Sequence, residues 1–262
     1  MEFVDQLHRK ITLNTIPQRI VSLVPSQTEL LVDLGLEAQL VGVTKFCVHP
    51  KHLRKNTTVV GGTKNVHIDK IKALQPDIII CNKEENTKEM VVELAAIAPV
   101  WVSDIQNIQG CQQMIEALGC LFQKEQLSKK INDKIENAHQ QFLEYIKNKS
   151  TKKVAYIIWK RPYMAAGGNT FINYLLRLNK FENVFASKEE RYPEVTIDEM
   201  KKAEVVLFSS EPYPFREKHI EKLKDDFSNT QLKLVDGEYF SWYGSRLIKA
   251  FDYFKEVHQQ LE

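Results

Sequence analysis

Apolar residues are spaced along this chain in two rhythms, and the alternation between them predicts its architecture. Short unbroken runs rich in β-branched residues read as strands buried on both faces: Ile20-Val21-Ser22-Leu23-Val24, Leu40-Val41-Gly42-Val43-Thr44, Ile78-Ile79-Ile80-Cys81 and Pro99-Val100-Trp101-Val102. Between them lie polar stretches with apolar residues at helical spacing. Strands alternating with short helices predict an α/β fold built on a central, mostly parallel sheet. Pro25 breaks the first strand, Ser26-Gln27-Thr28-Glu29 reads as the capping box of a following helix, and Gly35 closes that helix.

From about Ile108 to Asn148 the strand signal and proline both vanish. Within this stretch, Gln126 to Lys147 is the longest uninterrupted helical segment. Leu127, Ile131, Ile135, Phe142 and Ile146 recur at mostly three-to-four spacing, with a gap at Ala138. The strand rhythm then restarts at Lys153–Trp159, followed by a loop over Lys160–Asn169, a helix capped by Thr170 and a strand at Leu232–Val235. Tyr239 to Arg246 reads as an aromatic loop before a closing helix. The expected organisation is an N-terminal lobe over 15–107, a helical connector over 108–150 and a C-terminal lobe over 151–262. Gln126–Lys147 contains neither proline nor glycine, so a stiff connector and a small closing motion are expected.

One phrase occurs twice, as Val66-His67-Ile68-Asp69-Lys70-Ile71-Lys72 and as Val195-Thr196-Ile197-Asp198-Glu199-Met200-Lys201, each shortly before a buried apolar run. The duplication predicts two similar lobes, each with a carboxylate, Asp69 or Asp198, in the first turn of an equivalent helix. N-terminal helix capping is the alternative role for these acids.

Charge and cysteine content narrow the function classes. The chain has 262 residues, with 36 Lys and Arg against 34 Asp and Glu, so no global field recruits nucleic acid or an anionic membrane. Cys47, Cys81, Cys111 and Cys120 have neither zinc-finger nor redox-motif spacing and read as free thiols. Met1–Leu13 lacks the apolar core of a signal peptide, and no run of about 18 apolar residues occurs that could span a bilayer. A cytosolic location therefore stays open.

Nucleophile-elbow, Walker and dinucleotide motifs are absent, so no catalysis is expected. Aromatics instead mark the loops expected at the carboxyl ends of strands: Phe46, Trp159 with Tyr163, Tyr192, and Trp242 with Tyr243. Ligands of open α/β sheets bind at that end, and an aromatic lining suits a large flat ligand. His49, His52 and His67, close in sequence, support the alternative of a direct receptor for a divalent metal such as zinc or manganese.

The chain resembles the substrate-binding proteins of ABC importers whose two lobes are joined by one long backbone helix, the helical-backbone metal-receptor group. The likeness runs from about Arg19 to Glu262. It is carried by Arg19-Ile-Val-Ser-Leu-Val-Pro-Ser-Gln-Thr-Glu29, Gly61-Gly-Thr-Lys-Asn65, Ile68-Asp-Lys-Ile-Lys-Ala-Leu-Gln-Pro-Asp-Ile-Ile80, and Gly168-Asn-Thr-Phe171 with Asn183-Val-Phe185. The resemblance implies a monomeric, extracytoplasmic receptor that captures a metal chelate in an interlobe cleft, holds no cofactor of its own, and hands its cargo to a permease. It places Asp69 and Asp198 at the permease-docking acids, where most members carry glutamate. Within the group the chain is most similar to cobalamin-binding proteins. On that likeness Phe46, Tyr192 and the loop at Trp242 take corrin-contacting positions; the loop aromatics Trp159, Tyr163 and Tyr243, with Arg246, are the further expected ligand contacts. Thr63 and Asn82 fall where other members have tryptophan, a departure that keeps ferric siderophores and haem beside corrinoids. A cytosolic corrinoid carrier is the remaining alternative.

Overall fold

A computed structural model describes all 262 residues. The chain folds as two compact units, Met1–Glu136 with Tyr243–Ile248, and Asn137–Trp242 with Lys249–Glu262. Both are α/β, and their two five-stranded sheets are parallel except at one pairing.

The first unit begins with a hairpin, β1 (Glu2–Val4) and β2 (Lys10–Thr12). Its turn is organised by the buried Asp5 carboxylate, which accepts from the Leu7 and Arg9 amides at 3.0 and 2.9 Å and pairs with the Arg9 guanidinium. Asp5 also accepts from the Val102 amide, and Arg9 donates to the Val100 carbonyl. The hairpin thereby covers the exposed edge of the following sheet.

That sheet contains β3 (Ile20–Ser22), β4 (Leu40–Val43), β5 (Thr58–Val59), β6 (Ile78–Asn82) and β7 (Val100–Ser103) in the order β5-β4-β3-β6-β7. Chain order reverses at β3, which makes its carboxyl end a topological switch point. Helices α1 (Pro25–Asp33), α2 (Leu53–Asn56), α3 (Ile68–Ala73) and α4 (Lys88–Ala95) connect the strands. The expected box at Ser26–Glu29 does not form. Pro25 occupies the first turn of α1, where its missing N–H costs nothing, and Thr28 instead hydrogen-bonds Ser22 and the Val24 carbonyl. Gly35 does close the helix, at φ +74°.

Two long helices follow, α5 (Ile108–Leu121) and α6 (Glu125–Ile146). Helix α6 is continuous over 22 residues, as its apolar spacing predicts, and the division between the units falls inside it. In the first unit, Asn132 of α6 donates to the Gln112 carbonyl of α5 at 3.0 Å.

The second unit repeats the plan with β8 (Lys152–Lys160), β9 (Tyr163–Ala165), β10 (Phe181–Asn183), β11 (Val205–Ser209) and β12 (Gln231–Val235). The order is β10-β8-β11-β12, with the short β9 pairing antiparallel to β8. The segment expected as one loop over Lys160–Asn169 thus contains a strand that lengthens the β8 ladder. Helices α7 (Phe171–Leu178), α8 (Ile197–Met200), α9 (Glu217–Glu221), α10 (Gly237–Ser241) and α11 (Leu247–Leu261) complete the unit. Thr170 caps α7 as expected, by accepting from the Asn173 amide at 3.0 Å. Tyr239, Phe240 and Ser241, read as loop residues, lie in α10, whose first turn is capped by Asp236.

In this unit, α6 packs on α11 through aromatic rings. Phe142 lies 5.8 Å from both Phe251 and Phe254, and His258 stacks on Phe181 at 4.8 Å. Burial, with Lys149 nearby, lowers the His258 pKa from 6.5 to about 4. The unfolded chain therefore binds the extra proton between those values, so stability is complete above about pH 6.5 and is lost as pH falls towards 4, by up to about 3 kcal/mol. His258→Phe should flatten this acid limb. Thermal midpoints followed from pH 7.5 to 4.5 test this, and parallel curves for the two proteins would remove His258 from the effect.

Candidate functional site

The repeated phrase folds the same way in both units. An isolated antiparallel bridge precedes each copy, Gly61 with Val66 and Met164 with Glu194. His67 and Thr196 take the N-cap positions of α3 and α8, and Asp69 and Asp198 are the second residues of those helices. Capping does not occupy either acid. In α8 the box is made by Thr196 with Glu199, whose pKa falls to about 2 through its hydrogen bonds with Lys188 and Thr196. Asp198 stays in solvent with only Lys201 beside it, at 3.0 Å, and Asp69 is likewise exposed.

In the first unit, the carboxyl ends of β4, β5 and β6 meet next to the switch strand β3. Lys45 is tied to β5 by its amide donating to the Gly61 carbonyl at 2.8 Å, and a tight turn from Thr44 to Cys47 then projects Phe46 outward. Phe46 is 49 % exposed, with the Lys45 ammonium 5.0 Å above its ring. The ring lies against Gly62, where an added Cβ would stand 3.3 Å from it. Gly61 has φ +126°, and a Cβ there would come 2.7 Å from the Asn65 carbonyl, so this turn requires glycine. Thr63 follows, half-buried, its carbonyl accepting from Asn86 at 2.8 Å.

Three residues expected at the ligand are tied into the frame of this unit. Asn82 is 2 % exposed; its side chain accepts from the Glu84 and Glu85 amides at 2.8 and 3.2 Å and donates to the Ser103 carbonyl. Tyr243 is buried and its hydroxyl accepts from Gln27 at 3.2 Å. Arg246 grips Glu29 of α1 with two hydrogen bonds of 2.8 Å, a buried guanidinium answering a half-buried carboxylate. The family resemblance brought Asn82 and Arg246 into the candidate site and the aromatic loop brought in Tyr243, and neither signal shows that each side chain already has a partner. Trp242 is also buried, at 7 % exposure, rather than open as a loop residue.

In the second unit, Trp159 stands at the carboxyl end of β8, the strand at which this sheet's order reverses, and is 40 % exposed. Tyr213, which the sequence reading passed over, meets it edge-on at 5.7 Å and is held by its amide donating to the Ile158 carbonyl. The signal for Tyr213 was present, an aromatic just past a buried strand and flanked by Pro212 and Pro214. Tyr163 on β9 is half-buried, and burial raises its hydroxyl pKa. The 191–195 segment runs beside β9 through hydrogen bonds from Ala165 to Pro193 and from Val195 to Tyr163, which places Tyr192 on the stretch next to Tyr163. Trp159, Tyr163, Tyr192 and Tyr213 are thus gathered at one end of this sheet.

The divalent-metal alternative has no cage: no group of three or more His, Cys, Asp or Glu could hold an ion. His52 is engaged with Glu37 at 2.7 Å, and His67 sits at the start of α3. The cysteines are free, and burial pushes Cys81 and Cys111 up to about 12, which leaves both as inert thiols. No helix is long and apolar enough to cross a membrane.

Comparison with known proteins agrees with this architecture. The profile of the periplasmic binding protein family matches residues 20–230. An ABC transporter substrate-binding lipoprotein of Bacillus subtilis, itself uncharacterised, is 26% identical over 70% of this chain, which spans 60% of that relative's length. A vitamin B12-binding protein of Vibrio campbellii is 24% identical over 74% of this chain and 70% of its own. Among solved structures, the periplasmic vitamin B12 binding protein of Vibrio cholerae superposes with a TM-score of 0.78 at 20% identity, covering 94% of this chain and 99% of that one. A periplasmic heme binding protein of Pseudomonas aeruginosa gives 0.80 at 21% identity, with 92% of each chain covered. At such identities the solved structures establish the fold.

Proposed function

The chain belongs to the periplasmic binding protein family, and on that premise we propose that it is the solute-binding component of an ABC importer, working outside the cytoplasm as a monomer without catalysing a reaction. Its cargo is a large flat metal chelate, a corrinoid, a ferric siderophore or haem, which it delivers to a membrane permease. The observation that carries this reading is the pair of exposed aromatics, Phe46 in one unit and Trp159 in the other, each beside the switch point of a parallel sheet. A ring presented at such a position offers a stacking face to a flat ligand. The relatives' own descriptions, a substrate-binding lipoprotein and a vitamin B12-binding protein, support the same class.

Stacking of one ring on a flat ligand contributes about 0.5–1.5 kcal/mol beyond area burial. Phe46→Ala and Trp159→Ala should therefore each weaken binding by about threefold to tenfold without shifting the thermal midpoint. Titrations with cyanocobalamin, haemin and a ferric hydroxamate, read by chelate absorbance and tryptophan quenching, measure this. A wild-type protein that binds none of the three probes would overturn the reading.

A further inference from the structure

The turn that presents Phe46 also presents a cation that no carboxylate pairs. Lys45 is exposed, and its ammonium rests 5.0 Å from the centroid of the Phe46 ring. Hydrogen bonds on both sides fix where the two residues stand. The Lys45 amide donates to the Gly61 carbonyl at 2.8 Å, the Lys45 carbonyl accepts from the Arg54 guanidinium at 2.9 Å, and the Phe46 amide donates to the Thr44 hydroxyl at 3.3 Å. Gly62 then receives both side chains against its backbone, since an added Cβ there would stand 3.3 Å from the Phe46 ring and 3.7 Å from the Lys45 Cε. Ring and ammonium are therefore delivered together, at the carboxyl end of β4 beside the switch strand β3.

The charge of the surrounding chain has one sign. Between Glu37 and Asp69 the sequence carries Lys45, Lys51, Arg54, Lys55 and Lys64 and no acidic residue. Glu37 itself is engaged by His52 at 2.7 Å, and Glu84 and Glu85 follow β6 beside Lys64, whose ammonium donates to the Glu84 carbonyl. An exposed ammonium over an aromatic face is held only weakly, so an anion can draw it away at little cost. A plate stacked on Phe46 would also strip water from that ammonium, which strengthens its attraction to an acid on the plate's edge. A carboxamide edge offers the same ammonium an acceptor without charge, and a weaker bond. On the chelate reading, in which Phe46 carries the flat face of the cargo, we propose that Lys45 is a specificity-determining contact: its ammonium pairs with a carboxylate on the rim of the chelate, so that acid-edged chelates bind in preference to amide-edged ones.

Affinities for haemin, whose rim carries propionates, and for cyanocobalamin, whose rim carries carboxamides, test this in the wild type, Lys45→Gln, Lys45→Arg and Phe46→Ala. The wild type should bind haemin the more tightly. Loss of a charge-assisted hydrogen bond should cost Lys45→Gln about tenfold in haemin affinity and change cyanocobalamin affinity by less than about twofold. Lys45→Arg keeps the charge and should stay within about threefold of the wild type for haemin. Added salt should weaken haemin binding by the wild type more than by Lys45→Gln, and thermal midpoints should be equal across the Lys45 variants, whose changed side chain is exposed. If Lys45→Gln leaves haemin affinity within about twofold, the contact is wrong, and the chelate reading stands where Phe46→Ala still weakens binding. Equal losses of both probes in Lys45→Gln would show that the ammonium supports the ring rather than reading the rim, and would overturn the specificity. A wild type that prefers cyanocobalamin, or that binds only cyanocobalamin or the ferric hydroxamate, would overturn it too while leaving the chelate reading intact. A wild type that binds none of the three removes both.

Discussion

Phe142→Ala is expected to cost the second unit about 3–5 kcal/mol of stability, a larger penalty than removing any aromatic proposed for the ligand. Phe142 is fully buried, and besides Phe251 and Phe254 its ring meets Tyr145 at 6.2 Å and His258 at 6.4 Å. These neighbours are fixed on α6 and α11, and His258 is itself held by its stack on Phe181. The hole left by the missing ring is consequently walled by side chains that have little freedom to move inward, which places the variant at the costly end of large-to-small substitutions. Because the chain has two compact units, the loss is best read within the unit that carries Phe142. Hydrogen exchange at the β8 and β11 amides isolates the second unit and should accelerate by more than about a hundredfold. Acceleration below about fivefold would mean that the aromatic cluster collapses and refills the space.

The residues that made the fold legible are those whose neighbours in space are also neighbours in sequence pattern. Ile78–Cys81 and Val205–Phe208 read as buried strands because both faces are covered, and every residue of β6 and β11 is buried. Helix α6 was readable from its spacing alone. Short elements were not: β9 spans Tyr163–Ala165 and exists because β8 offers it a ladder, and no local rhythm survives in three residues. Ser26–Glu29 matched a capping pattern, yet Pro25 placed the helix start earlier.

Site residues divide along the same line. Phe46, Trp159 and Asp198 were identified correctly as exposed groups because turn and strand signals flank them. Asn82, Tyr243 and Arg246 look equally available in sequence, but their partners Ser103, Gln27 and Glu29 are distant along the chain, and only folding brings them together.

Replacing both Asp69 and Asp198 with lysine should abolish cargo uptake while leaving chelate affinity intact. The two acids occupy equivalent second positions of α3 and α8, and neither is consumed by its own helix. Lys201 does not neutralise Asp198, since that carboxylate is 89% exposed and an exposed pair of this kind contributes little. Asp69 stands at a surface pocket between α3 and α4, where Ile68, Pro76, Ala96 and Ile97 supply apolar surface and Lys72, Gln75 and a second acid, Glu93, supply the polar groups. If the importer's permease meets these acids with cations, each reversal replaces an attraction by a repulsion, a change that costs several kcal/mol at an interface and shows first in the association rate and its salt dependence. Single reversals should slow uptake, and the double reversal should lower it by more than about a hundredfold. Uptake of the chelate by cells carrying the importer, measured beside equilibrium affinity of each purified variant, separates docking from capture. Transport that persists in the double variant would show that the permease reads another part of this surface, and a parallel loss of affinity would show that the acids act on the ligand instead.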